Sequence, residues 1–310
     1  MKPLVTVAIP AHNAAHWLGP AIESALAQTH GAVEVIVVND ASTDNTANVA
    51  RAFGERIRLL ESERRGAPHA RNLAWQAAQG EWLQFLDADD YLEPEKIAQQ
   101  LAESGEGAQA EVIYSPVWWE TWRDGDAVER VKSTIDIRRD LFTQWLAWEL
   151  PQTGGGLWRK TALAGLGGWK EDQPCCQDNE LYLRALQTGL RFVFAPTAHA
   201  VYRIWSEETL CRKNPRQVIE VRTALMDELR AWMKESELWT EGHQQAAAQA
   251  CFEMARSWAK DDLAGAVSYH EARKALGLMR PAGAAAPARY RFIYDLLGFA
   301  MAERVAGLLR

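Results

Sequence analysis

An acidic cluster at residues 87–90 is the stretch of this sequence with the clearest capacity for chemistry. Asp87, Asp89 and Asp90 stand within four residues, directly after the largely apolar run 83–86. A buried strand that ends in this way places negative charge at the carboxyl edge of a sheet, where open α/β sheets bind ligands. Crowded carboxylates repel one another unless a cation or a hydrogen-bond donor neutralises them. The stretch therefore predicts either a site where a divalent cation meets a diphosphate, or a strand end followed by a solvated acidic turn.

Two further carboxylates occupy comparable places along the chain. Asp40 follows the predicted strand 33–38, where it can accept hydrogen bonds from a nucleobase or a ribose. Ser42 and Asp44 lie further from that strand and are better placed to cap the next helix. Asp178 comes at or near the start of a helix, after a loop punctuated by Gly and Pro. It is either a general base held above the site or an N-cap, and its position taken alone favours the cap.

The elements that must position these residues alternate between strands and helices. Apolar runs predict strands at 4–9, 33–38, 57–60 and 83–86, and helical spacing predicts helices at 15–28, 46–53 and 69–79. This order implies a parallel sheet with right-handed crossovers. Pro10 is expected to end the first strand, and Gly125 marks a hairpin turn after the strand 117–122.

The remaining pattern suggests how the chain is divided. We expect an α/β domain over residues 1–210, with a nucleotide-binding half at 1–110 and an acceptor half at 111–210. Residues 211–310 are predicted to form a helical region. Its last predicted helix, 290–309, is amphipathic and has arginines near both ends, at positions 289, 291, 304 and 310. That pattern allows contact with a membrane surface, although packing on the body of the protein or on a second subunit of a homodimer is more typical.

Composition and missing motifs exclude several classes of protein. The chain has 310 residues, 48% of them hydrophobic, and a net charge of −7, which argues against nucleic-acid binding. Neither GxGxxG nor GxxxxGK[ST] occurs, so dinucleotide dehydrogenases and P-loop enzymes are disfavoured. The four cysteines form no CxxC pair and are expected to be reduced. With no signal-like start and no apolar run long enough for a membrane span, a cytoplasmic location is expected.

Two groups of side chains have less specific patterns. Arg71 lies on the helix before the acidic cluster and is placed either to face a diphosphate or on a solvated helix face. Fourteen tryptophans are unusual, and several lie beyond residue 110, among them Trp158. Aromatic faces suit sugar rings, but a tryptophan is more often a packing element.

Taken together, these motifs carry a resemblance to a known family. The segment 7–13 (Val-Ala-Ile-Pro-Ala-His-Asn) and the three acidic positions, in this order, strongly resemble family 2 glycosyltransferases of the GT-A fold. The similarity spans about residues 4–205. It includes residues 24–29 (Ser-Ala-Leu-Ala-Gln-Thr), 70–72 (Ala-Arg-Asn) and 80–90.

The resemblance implies a fold, a reaction and a set of residues. The fold would be a Rossmann-like GT-A domain, with a mostly parallel central sheet flanked by helices and a C-terminal helical extension. Asp40 would bind the nucleobase, and Asp87-Ala88-Asp89 would be the DxD motif, with Asp87 and Asp89 holding Mn²⁺ or Mg²⁺. Asp178 would deprotonate the acceptor hydroxyl. The residues expected to bind the nucleotide sugar are Pro10, Ala11, Asn13, Asp40, Arg71, Asp87, Ala88 and Asp89. The residues expected on the acceptor side are Trp158, Gln177, Arg203 and Trp205.

The sequence departs from the family pattern at three places. Ala41 stands where the family often has Gly, and Gln177 replaces the usual Glu before the base. Trp205 stands near the place of a frequent His, which puts a metal or phosphate contact from that position in doubt. The QxxRW signature of processive polysaccharide synthases is absent, so transfer of a single sugar is expected.

The resulting prediction is a metal-dependent inverting glycosyltransferase of the hexosyltransferase type. It would use a UDP-, GDP- or dTDP-sugar and a glycan or lipid-linked glycan acceptor in bacterial surface-polysaccharide synthesis, in the cytoplasm or at the inner face of the membrane. The alternatives are a transferase that loads polyprenyl phosphate and a non-catalytic protein that binds nucleotide sugars or glycans.

Overall fold

The protein forms two compact units. The computed structural model describes residues 2–103, 109–197, 199–206 and 213–308. The first unit comprises Met1–Ile137 and Leu150–Ser206, and the second comprises Arg138–Glu149 and Glu207–Arg310. The segment Arg138–Glu149, which the sequence analysis assigned to the acceptor half, thus groups with the helical second unit. Among the described helices, none combines the length and apolar character needed to cross a membrane.

The strands of the described residues all belong to the first unit. They are β1 (Val5–Ala11), β2 (Val33–Asp40), β3 (Arg58–Ser62), β4 (Trp82–Phe85), β5 (Tyr91–Leu92), β6 (Val112–Tyr114), β7 (Val117–Arg123), β8 (Asp126–Lys132), β9 (Gly156–Arg159), β10 (Phe192–Phe194) and β11 (Ala200–Ile204).

The helices are divided between the two units. In chain order they are α1 (Leu18–Leu26), α2 (Thr46–Arg51), α3 (Ala67–Ala77), α4 (Lys96–Glu103), α5 (Leu141–Leu146), α6 (Lys160–Gly165), α7 (Gln177–Gln187), α8 (Pro215–Glu235), α9 (Glu241–Trp258), α10 (Leu263–Ala275) and α11 (Ala288–Leu308). Helices α5 and α8 to α11 belong to the second unit.

The main sheet has seven strands in the order β10-β6-β9-β4-β1-β2-β3. All neighbouring pairs are parallel except those of β9, which runs antiparallel to both β4 and β6. The predicted fold class, a mostly parallel sheet flanked by helices with a helical C-terminal region, is confirmed. β1 lies inside the sheet between β4 and β2 and is buried along its whole length, as the continuous apolar run of a parallel strand predicts.

The prediction that Pro10 ends the first strand is wrong. β1 continues to Ala11, and Pro10 pairs with Val38 of β2. The φ angle that the ring of proline imposes lies within the extended region, so Pro10 removes one backbone donor without turning the chain.

The second sheet has four strands in the order β5-β11-β7-β8. The predicted hairpin is confirmed, because β7 and β8 pair antiparallel around a turn in which Asp124 and Gly125 have φ angles of 52° and 90°. β5 begins directly after the acidic cluster and pairs with β11. This pairing brings the segment after residue 200 alongside residues 89–91.

The second unit is built on α8 to α11 and α5. Its core includes Phe252 of α9 and Phe299 of α11, which pack with a ring-centroid distance of 6.5 Å. The predicted single helix 290–309 is interrupted at Gly298, whose φ of 77° and ψ of 175° are not helical. α11 therefore consists of two helical stretches on either side of this glycine, and residue 309 lies outside the described residues.

Candidate active site

The acidic residues meet at one edge of the main sheet. β1 pairs with β2 as far as Ala11 and Asn39, and its other side pairs with β4. Asp40 is the last residue of β2, and Asp87 follows the end of β4 by two residues. Parallel strands are about 4.8 Å apart, so β1 separates these two strand ends by roughly 10 Å.

Asp40 is buried and holds the loop that leads into α3. Its carboxylate accepts hydrogen bonds from the Ser62 hydroxyl at 3.1 Å, the Arg65 N–H at 3.1 Å and the Gly66 N–H at 2.8 Å. The side chain is 3% exposed. The residues around Asp40 in the chain carry no signal of this loop-fixing role. Recognition of a nucleobase by Asp40 stays a prediction.

The residues at the end of β1 link it to the loop after β2. Asn13 has a φ of 48° and donates its backbone N–H to the Ser42 hydroxyl at 3.1 Å. Its side-chain oxygen accepts the Thr43 N–H at 2.8 Å. Pro10 and Ala11 are buried within β1. Of the three residues predicted here to contact the donor, only Asn13 therefore has an exposed side chain.

Arg71 joins the acidic motif to the start of α7. Its guanidinium donates to Asp87 Oδ1 at 2.6 Å and to Gln177 Oε1 at 2.8 Å. The same group lies 4.5 Å from the ring centroid of Trp169. The alternative that Arg71 occupies a solvated helix face is wrong, because the residue is buried. Gln177, expected on the acceptor side, accepts this hydrogen bond at the start of α7, and its contact with an acceptor stays a prediction.

The other two carboxylates of the cluster are held by the segment around β11. The Trp205 indole N–H donates to Asp89 Oδ2 at 2.9 Å. The Arg203 backbone N–H donates to Asp90 Oδ1 at 2.8 Å, and its guanidinium donates to the Asp89 carbonyl oxygen at 3.2 Å. Burial, together with the negative charge of Asp87, raises the pKa of Asp89. Asp90 is buried, and burial together with the charges of Asp89 and Asp87 raises its pKa.

Two of the predicted acceptor-side residues are placed elsewhere by the structure. Trp158 on β9 is 2% exposed and packs its ring 5.3 Å from that of Tyr182, so it is a core residue. Arg203 is buried, with its guanidinium over the rings of Trp17 and Tyr91 at 5.0 and 4.6 Å. It therefore supports the acidic motif. Trp205, the remaining residue predicted on the acceptor side, has an exposed side chain, with 41% of the residue accessible to solvent.

Asp178 is the second residue of α7, and the interpretation of it as an N-cap is wrong. Cys176 occupies the cap position with a left-handed φ of 54°. Asp178 Oδ1 accepts the N–H of Asn179 at 2.9 Å. Burial raises the pKa of Asp178, and the charge of Asp87 acts in the same direction, whereas the charge of Arg71 opposes it. Arg71 bonds both Asp87 and Gln177, the residue before Asp178, so Asp178 lies near Asp87 and Arg71.

Glu171 and Asn72 form a connection that the sequence analysis missed. Glu171 accepts hydrogen bonds from Arg65 at 2.8 Å and from Asn72 at 3.2 Å, and it lies 3.0 Å from a ring nitrogen of His69. Asn72 also bonds both the N–H and the carbonyl of Trp169, at 2.8 Å each. These contacts fasten α3 to the loop before α7. Asn72 belongs to the segment 70–72, but Glu171 carries no local signal because its partners lie about a hundred residues away.

Gly167 and Gly168 provide a test of how closely the loop before α7 packs against Asn72 of α3. A Cβ atom on Gly168 would lie 2.6 Å from Asn72 Oδ1, whereas one on Gly167 would meet nothing within 4 Å. Both glycines have a positive φ, +79° and +76°, so both alanine variants carry a similar backbone cost. We expect Gly168→Ala to lower the free energy of unfolding by about 1–3 kcal/mol more than Gly167→Ala. Urea denaturation measures the difference, and equal effects would contradict the close approach.

The donor set of the acidic motif fits a hard divalent cation. Asp87 and Asp89 offer oxygen ligands of the kind that Mg²⁺ and Mn²⁺ take. Each carboxylate already accepts one hydrogen bond, from Arg71 or from Trp205, and these bonds leave further lone-pair sites. Within the described residues, no three His, Cys, Asp or Glu side chains converge as a complete metal cluster. The residues present therefore suit a cation that takes its other ligands from a diphosphate and water.

Comparison with known sequences identifies related proteins. A sequence profile described as Glycosyl transferase family 2 matches residues 6–146. An uncharacterized glycosyltransferase of Rickettsia felis is 43% identical over 101 residues, which is 32% of this chain and 17% of that protein. The putative teichuronic acid biosynthesis glycosyltransferase TuaG of Bacillus subtilis is 39% identical over 104 residues, 32% of this chain and 41% of that protein. Chondroitin synthase of Pasteurella multocida is 41% identical over 98 residues, 31% of this chain and 10% of that protein. The chain thus spans less than half the length of these relatives.

Solved structures resemble the chain over nearly its whole length. TarS residues 1–349 of S. aureus, in complex with UDP-GlcNAc, gives a TM-score of 0.66 at 18% identity, covering 98% of this chain and 89% of that one. The mannosyltransferase PcManGT of Pyrobaculum calidifontis, in complex with GDP-Man and Mn²⁺, gives a TM-score of 0.57 at 19% identity, covering 99% and 88%. At these identities the likeness establishes a common fold.

Proposed function

Since the chain belongs to glycosyl transferase family 2, we propose that it moves a single hexose-type sugar from a nucleotide sugar to a hydroxyl group. The acceptor is a glycan or a lipid-linked glycan in bacterial surface-polysaccharide synthesis, and the anomeric configuration is inverted. The relationship to proteins named for teichuronic acid and chondroitin synthesis supports this biosynthetic role.

The arrangement around Arg71 is the observation that carries the proposal. Arg71 bonds Asp87 of the acidic motif and Gln177 of α7 at the same time. The donor-side carboxylates are therefore held close to Asp178, the next residue of α7. A transferase needs this proximity, because the diphosphate leaves the same anomeric carbon that the acceptor hydroxyl attacks.

On the donor side, Asp87 and Asp89 would hold the cation and Asp40 would recognise the nucleobase. When bound, Mn²⁺ or Mg²⁺ supplies positive charge that stabilises the departing nucleoside diphosphate. Arg71 restrains Asp87, and Trp205 restrains Asp89 through its indole N–H. Both carboxylates are thus oriented by neighbours before a ligand arrives, which lowers the entropic cost of binding.

On the acceptor side, Asp178 accepts the proton of the attacking hydroxyl. Its raised pKa makes the ionised carboxylate a stronger base than an ordinary carboxylate. The N–H of Asn179 fixes one oxygen at 2.9 Å, which orients the carboxylate. The hydroxyl then attacks the face of the sugar opposite the diphosphate, and this geometry inverts the configuration.

A panel of donors and acceptors tests the proposal. A nucleotide sugar that binds the folded state raises the melting temperature, so one of the UDP-, GDP- or dTDP-sugars is expected to do so in the presence of Mn²⁺. Transfer from that donor is then measured with saccharide acceptors and with polyprenyl phosphate. Transfer to polyprenyl phosphate alone would replace the proposed acceptor class. Binding without turnover on any acceptor would favour a non-catalytic role.

A further inference from the structure

Helix α11 leaves large apolar side chains exposed on both sides of Gly298. Phe292 and Leu296 are 70% and 67% exposed, and Leu308 is 87% exposed. Leu297 and Met301 are also exposed. Large side chains of this kind, grouped on one helix, are unusual on a monomeric surface and mark an interaction site. We call Phe292, Leu296, Leu297, Met301 and Leu308 the outer ridge.

The outer ridge is separate from the face of α11 that stabilises the second unit. On the inner face, Tyr290, Phe299 and Ala302 are buried in the core of that unit. The Phe299 ring stacks on His270 at 4.5 Å, and Glu303 accepts a hydrogen bond from Arg256 at 2.5 Å. The internal packing of α11 is thus provided by these residues, and the second unit leaves the ridge residues exposed to solvent.

Exposed arginines accompany the ridge on both sides of the Gly298 kink. Arg289 lies three residues before Phe292, and Arg304 lies between Met301 and Leu308 at helical spacing, so each shares a helix face with ridge residues. Arg291 is exposed as well, whereas Asp295 is the exposed acidic residue of the helix and Glu303 is buried in its ion pair. The exposed surface of α11 is therefore net positive in a chain whose net charge is −7.

We propose that the outer ridge of α11 binds the surface of a bilayer that contains anionic lipids. Exposed apolar side chains accompanied by arginines fit the boundary between acyl chains and headgroups. The arginine stems can lie along that boundary while their guanidinium groups contact phosphates. A second copy of the chain fits less well, since pairing two ridges would bring together two net positive helices.

Vesicle binding of the full chain tests this inference without reference to transfer activity. Sedimentation with phosphatidylglycerol vesicles is compared with sedimentation with phosphatidylcholine vesicles, at low and high salt. We expect the protein to bind the anionic vesicles more strongly and to be released by salt. The double variant Phe292→Ser/Leu296→Ser is expected to bind at least about tenfold more weakly, because it removes two large apolar side chains from the ridge.

A matched variant controls for the loss of exposed apolar surface as such. Leu238 and Leu276 are 45% and 47% exposed in the same unit but lie outside α11, so Leu238→Ser/Leu276→Ser should bind as the unaltered protein does. Circular dichroism establishes that both variants are folded. Equal losses in the two variants, or no binding of the unaltered protein to anionic vesicles, would overturn the proposal. A dimer in sedimentation equilibrium that only the ridge variant dissociates would assign the ridge to a second copy and would also overturn it.

Discussion

Asp178→Asn is expected to lower kcat by about 10²- to 10⁴-fold, the range that a positioned general base contributes. The amide is nearly the same size as the carboxylate and can still accept the Asn179 N–H through its oxygen. It cannot take a proton from the acceptor. Affinity for the nucleotide sugar should change little, because the lost step involves the acceptor hydroxyl. Steady-state transfer assays and calorimetric titration of the donor measure the two quantities separately.

Asp172→Asn is the matched control for this variant. Asp172 is exposed in the loop before α7, six residues before Asp178, and the substitution makes the same chemical change. Its kcat should equal that of the unaltered protein. Undiminished turnover in Asp178→Asn would refute the assignment of the base.

The same assignment predicts how activity depends on pH. Burial raises the pKa of Asp178 above its ordinary value of 3.8. Only the ionised carboxylate can accept a proton, so kcat/KM should fall as the pH decreases through this raised pKa. The acid limb is therefore expected above pH 3.8, and Asp178→Asn should remove it from the residual activity.

Asp89→Asn is expected to lower the rate of transfer by about 10²- to 10³-fold, the loss found when one group that stabilises transition-state charge is removed. The amide keeps an oxygen that can accept the Trp205 indole N–H, so the fold should be retained. It removes one of the two negative charges that would hold the cation. Titration of the nucleoside diphosphate with and without Mn²⁺ should show that the metal no longer strengthens binding.

Asp126→Asn, an exposed position at the start of β8, serves as the control for the loss of one surface charge. In the unaltered protein, an excess of chelator should reproduce the effect of Asp89→Asn on transfer. Full activity of Asp89→Asn, or full activity in chelator, would refute the metal role of this carboxylate.

Much of the site could be predicted because parallel strands have simple geometry. Apolar runs locate β1, β2 and β4, and polar residues directly after such runs must lie at the carboxyl edge of the sheet. The placement of Asp40 and Asp87 at one edge follows from this rule and from the pairing of β1 with both neighbours. The family resemblance added the roles of these residues, which remain predictions for this chain.

Contacts between distant segments could not be predicted in the same way. Nothing near Arg71 in the chain indicates that it bonds Gln177, 106 residues away. Likewise, the Trp205 indole reaches Asp89 only because β11 pairs with β5. The antiparallel position of β9 between β4 and β6 could not be predicted either. The strand order of a sheet depends on packing among all its strands.

The outer ridge of α11 shows the same division on a larger scale. Residue types and spacing along positions 288–308 are enough to predict a helix with apolar residues and arginines. They do not indicate which apolar residues face inward, because apolar side chains lie on more than one face and Gly298 breaks the helical register. Burial depends on which surfaces the rest of the unit supplies. Local chemistry can therefore be deduced from the chain, whereas the partners of each side chain depend on the folded arrangement of segments that are far apart in sequence.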